Sequence, residues 1–160
     1  MSKYHTKCFA CVTAAALAAM TPIGAAGDCP TTLSYLADRL PRYNNEGLER
    51  MRNAVLNTNV AEEMKRATAQ GSTTAQAAAA LLQAAQKVQS QQPNAEQCVR
   101  ELSPNPERMM AELKNGTFRF RDNPQSALEA CAAQYVLNYY MVIATKESAI
   151  VAACLARRSP

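Results

Sequence analysis

Between Pro124 and Arg157 the chain has neither glycine nor proline, and this span carries two of its cysteines, Cys131 and Cys154. Leu128, Cys131, Tyr135, Tyr139, Val142 and Ile150 fall roughly on one stripe of a 3.6-residue period. The span therefore predicts one long helix running toward Arg158. Along such a helix the two cysteines lie 23 residues apart, roughly 34 Å at the usual rise per residue. A disulfide needs Cα atoms within about 7 Å. Cys131 and Cys154 then cannot pair, and each must reach Cys29 or Cys98. A bend at residues 145–148 would rescue the pairing, but that stretch offers no turn residues.

The other two of the six cysteines, Cys8 and Cys11, sit in a segment with the parts of an export signal. Lys3 and Lys7 make a positive start, residues 8–20 an uncharged apolar run, and residues 21–26 a small-residue exit. Cleavage is expected after Ala26. The apolar run is shorter than the roughly 20 residues a bilayer span needs, and Asp28 before Cys29 argues against lipid attachment. The expected product is residues 27–160, a single helical domain with no stable membrane anchor. It retains Cys29, Cys98, Cys131 and Cys154, an even count that reads as two disulfides in an exported domain. The expected location is the periplasm of a Gram-negative cell, or otherwise the secreted medium; the alanine-rich leader has a bacterial cast.

Charge narrows the partners. Of 17 Lys and Arg, two leave with the leader, so 15 face 13 acids and the net charge is only +2. There is no block of like charge, so nucleic acid is not an expected partner.

The pattern elsewhere is helical too, and the expected fold is all-α, with five to seven helices stapled by two disulfides. Residues 30–40 predict a short helix with Leu33, Leu36 and Leu40 on one stripe, closed by Pro41. Asn44 or Asn45 caps a helix carrying Leu48, Met51, Val55 and Leu56. A break at residues 57–59 precedes a third helix, ended at Gly71. Residues 73–91, rich in alanine and glutamine, predict a strong helix, and Pro93-Asn94 a separate short one bearing Cys98 and Leu102. Asn105-Pro106-Glu107 restarts the chain and Asn115-Gly116 stops it. Phe118-Arg119-Phe120-Arg121 alternates with period two, the only strand-like piece, and Asn123-Pro124 opens the last helix.

Chemistry is scarce in the mature chain. Its lone histidine, His5, lies in the leader, which removes Ser-His and Cys-His nucleophile pairs and imidazole metal sites. There is no C-x-x-C and no phosphate-cradling glycine loop. The chain therefore reads as a non-enzyme, without cofactor or metal. Glu62, Glu63 and Glu112 suit solvated helix faces, although a carboxylate-dependent hydrolase needs only two acids. Met51, Met64, Met109, Met110 and Met141 suit core filling better than a thioether copper site.

The expected site is Phe118, Arg119, Phe120 and Arg121, because aromatics and arginine dominate interface hot spots. Arg108 and Lys114 would extend a basic patch. The competing reading has both phenylalanines anchoring a linker on the core while the arginines face water. The function expected is protein binding, of the inhibitor, immunity or secretion-accessory kind, on another envelope or exported protein. The alternative is a carrier of a small apolar ligand, with Tyr135, Met141 and Ile143 in the lining.

Overall fold

Each helix begins where a side chain replaces a missing backbone partner. Asn45 accepts from Leu48 N–H to open α1 (Glu46–Leu56), and Asn59 accepts from Glu62 N–H to open α2 (Val60–Ala69). Thr73 and Gln76 form a reciprocal capping box at α3 (Thr74–Leu102). Asn105 accepts from Arg108 N–H at α4 (Pro106–Asn115), with Pro106 in its first turn. The Ser126 hydroxyl accepts from Glu129 N–H at 3.2 Å to start α5 (Ala127–Arg158). These elements come from a computed structural model, which describes residues 28–121 and 126–158. The expected leader, residues 1–26, and the expected Asn123-Pro124 restart lie outside the described residues.

The long C-terminal helix is continuous over 32 residues. As its length demands, its cysteines bond elsewhere: Cys29 to Cys154 and Cys98 to Cys131, with Cα separations of 5.9 and 5.8 Å. The second bridge joins the C-terminal end of α3 to the N-terminal end of α5. Further along, Leu81 of α3 shares a groove with Ala144 and Ser148 of α5. The two long helices are thus antiparallel. α1 and α2 pack on α5, and α2 and α4 pack on α3. Leu36, Leu48, Val60, Val99, Leu113, Val136, Tyr140 and Val151 fill the space between. By length and composition α5 would suffice to cross a membrane; here α1, α2 and α3 pack along it.

Three expectations need correction. α3 does not stop before Pro93 but runs through it for 29 residues. Proline removes the hydrogen bond to the Gln89 carbonyl, but Gln89 and Pro93 lie on the exposed side, where water can take that partner's place. The other side carries Ala85, Ala95 and Val99 against the core, and the Cys98 bridge holds the helix downstream. Packing on both sides of Pro93 outweighs a local penalty of about 3 kcal/mol.

The helix expected over residues 30–40 shrinks to a 3-10 turn, Ser34–Leu36. The preceding backbone is used otherwise: Leu33 N–H donates to Thr58 C=O and Val60 N–H to Thr31 C=O, forming a single antiparallel bridge between Thr32 and Asn59. Leu33, Leu36 and Leu40 are still buried as the stripe required. Lastly, residues 118–121 form no strand; the described residues contain no sheet, only that bridge.

Candidate partner-binding surface

The segment after α4 is held in place at several points. Gly116 ends α4 with φ +73°, a left-handed conformation that costs side-chain-bearing residues free energy. Space is also closed there: a Cβ on Gly116 would lie 2.8 Å from Pro41 Cβ and 3.2 Å from the Arg42 carbonyl oxygen. Thr117 and Phe118 N–H both donate to the Glu112 carbonyl, at 3.0 and 3.2 Å. The Asn44 side chain then clasps Phe120 in both directions. Its amide donates to Phe120 C=O at 2.8 Å, and its oxygen accepts from Phe120 N–H at 2.9 Å. The buried Glu129 carboxylate accepts from Arg121 N–H at 3.3 Å and pairs with the Arg121 guanidinium at 3.6 Å.

Period-two alternation divides the four expected contact residues. Phe120 is 3% exposed, in edge-to-face contact with Tyr43 at 5.8 Å and with Phe118 at 4.8 Å. Phe118 is half-buried against the core. Arg119 and Arg121 are exposed. The aromatics therefore anchor the segment, and the surface that a partner can reach consists of the arginines with the outer part of Phe118.

Beneath lies an aromatic cluster. Tyr43 donates its hydroxyl to the Leu113 carbonyl and Tyr140 donates to the Pro41 carbonyl. Burial pushes both phenols well above their ordinary pKa, with neighbouring tyrosines adding for Tyr43 and Glu49 for Tyr140. Arg52, also buried, donates to the Leu40 and Ala37 carbonyls, fixing the loop before Pro41 onto α1. Arg42, Asn44, Arg52 and Glu129 were missed as parts of this region, because each acts across a distance in sequence. The one local signal was Ser126-x-x-Glu129, a capping-box spacing.

The other candidates are dispersed. Glu62 pairs with Lys65 at 2.9 Å, Glu63 with Arg66 at 2.7 Å and Glu112 with Arg108 at 2.8 Å, all within one helix. Met64, Met109 and Met110 are buried, Met51 is half-buried, and Met141 is exposed. Among the described residues no three His, Cys, Asp or Glu side chains group as metal ligands. An apolar groove of about 250 Å³ lies between α1, α3 and α5, lined by Met51, Val55, Leu81, Met141 and Ala144. Of the three residues expected to line a ligand cavity, only Met141 reaches it; Tyr135 and Ile143 pack into the core. A more polar hollow of about 560 Å³ runs beside Pro93, along Gln89, Gln92, Glu96 and Arg100.

No family model, no curated protein and no solved structure matches this chain. Its function has to be argued from the site alone.

Proposed function

We propose that this chain is an exported, non-enzymatic protein-binding module that presents residues 116–121 to another exported or envelope protein. The observation that carries the reading is the fixing of that segment. A left-handed glycine, the Asn44 clasp, two inward phenylalanines and the Glu129 pair set its backbone, while Arg119 and Arg121 point outward. A surface ordered before binding loses little conformational entropy on binding. Two disulfides suit an oxidising, exported environment, and residues 1–26 have the composition of the leader that would deliver the chain there. Steric occlusion or scaffolding is the mechanism such a surface supports. The apolar-ligand reading rests on the groove at Met141, whose volume of about 250 Å³ falls below the ~300 Å³ at which small-molecule pockets begin.

Gentle purification of the tagged chain from its own cell envelope, followed by native mass measurement, tests the proposal. A stoichiometric second protein is the expected result. A bare chain carrying a small extra mass would move the reading to the ligand carrier, and a chain with no companion would remove the support for both.

A further inference from the structure

Among the described residues most cations are already partnered: Arg39 with Glu147, Arg108 with Glu112, and Arg100 with Glu96 and Glu107, for example. Three that are not, Arg42, Lys114 and Arg119, are all exposed and gather around the Gly116 turn. Chain geometry brings their backbones together. Arg42 backbone lies against Gly116, with its carbonyl oxygen 3.2 Å from the site of a Cβ. Lys114 precedes that glycine by two residues and Arg119 follows it by three, so their Cα atoms lie within about 10 Å of it. Tyr43 turns into the core, so its neighbour Arg42 turns out, as Arg119 does beside Phe118 and Phe120. Arg121 adds a fourth cation, held by Glu129 at 3.6 Å.

Like charges brought together on a fixed backbone repel one another, and an anion relieves that repulsion. From this we infer that the Arg42–Lys114–Arg119 patch is the docking site for an acidic protein segment, one whose carboxylates alternate along an extended strand. Arginine presents a planar fork that pairs with a carboxylate through two hydrogen bonds. Side chains on one face of an extended chain repeat every ~7 Å, so alternating carboxylates present a row of anions to a cluster of cations. A lipid surface fits less well, because the phenylalanines that would insert are turned into the core. Single-stranded nucleic acid fits less well, since only the outer part of half-buried Phe118 is offered to bases there. The inference rests on the protein-binding reading and adds to it the chemistry of the partner.

The test uses the oxidised mature chain and a fluorescent peptide of alternating Glu and Ser, read by anisotropy. Binding is expected to weaken steeply as sodium chloride rises. The double variant Arg42→Glu/Arg119→Glu should lose at least tenfold in affinity while keeping the wild-type melting temperature. Lys87→Glu/Lys146→Glu, an equal charge change elsewhere, should lose no more than twofold. Equal losses for the two double variants would overturn the inference by showing a general charge effect. Tighter binding to a dT oligonucleotide or to phosphatidylglycerol vesicles than to the peptide would overturn it too. Co-purification separates this inference from the broader reading. A native partner retained by Arg42→Glu/Arg119→Glu refutes the patch and leaves protein binding standing, whereas a wild-type chain without a partner counts against protein binding itself.

Discussion

Replacing Pro93 with alanine should make this protein more stable. Proline inside a helix costs about 3 kcal/mol relative to alanine. Some of that cost is already lessened at Pro93, because the Gln89 carbonyl it leaves without a donor lies on the exposed side of α3. Losing proline also frees the unfolded chain, which takes back about 0.4–1 kcal/mol. The net gain should be about 1–3 kcal/mol. For a domain of this size that corresponds to an increase in melting temperature of roughly 4–10 °C. Scanning calorimetry of the oxidised mature chain and its Pro93→Ala variant measures it directly. Were Pro93 instead the first residue of a separate helix, alanine would gain nothing, since proline is favoured in that position. An unchanged or lowered melting temperature would therefore refute the claim that α3 passes through Pro93 as one helix.

Gly116→Ala should destabilise by about 1–3 kcal/mol, because it combines a positive φ with a Cβ 2.8 Å from Pro41; a urea midpoint equal to wild type would contradict the close approach. Phe120→Ala should cost about 3 kcal/mol, as expected for a fully buried phenylalanine, whereas Arg119→Ala should leave the melting temperature within about 1 °C, as befits an exposed side chain. Alkaline pH should unfold the protein. Burial raises the Tyr43 and Tyr140 pKa values above the ~10 of the unfolded chain, so the folded state holds protons that the unfolded state releases. Their stabilising contribution is complete below about pH 10 and is lost as pH climbs through the folded-state values. Absorbance at 295 nm and circular dichroism should then change together, and ionisation of every tyrosine near pH 10 with helicity intact would contradict the burial.

Much of the frame was legible in the residues because its signals are local. Asn45, Asn105 and Gly116 mark helix ends by the conformations their side chains permit or avoid, and all three serve as caps. The uninterrupted C-terminal span excluded a Cys131–Cys154 bridge on length alone; it left two connectivities open, of which Cys29–Cys154 with Cys98–Cys131 is the one found. What misled was local reasoning applied where packing between distant segments decides. Pro93 looks like a boundary until α5 and the Cys98 bridge are present to hold α3 on both sides. Residues 30–40 look helical until Thr31 and Leu33 find hydrogen bonds on the chain around Asn59. The alternation of residues 118–121 does sort phenylalanines inward from arginines outward, yet the strand it suggested does not form, because no neighbouring strand exists among the described residues to pair with it. The same limit applies to the candidate surface. Arg119 and Arg121 stood out in the chain, but Arg42 and Asn44 join the same segment from more than seventy residues away, Asn44 meeting Phe120 across 76. Composition carries no trace of such a meeting.

Tryptic mapping of the chain recovered from its own cells, without reduction, reads the leader cleavage and both bridges in one experiment. Two disulfides hold an antiparallel pair of long helices, in a frame we propose is exported. Cleavage at Arg39, Lys87, Arg100, Arg121, Lys146 and Arg157 puts each of the four cysteines in its own peptide. The account predicts one linked pair joining residues 27–39 to 147–157 and another joining 88–100 to 122–146. A link between 122–146 and 147–157, four free thiols, or an N-terminal peptide that still carries the leader would contradict it.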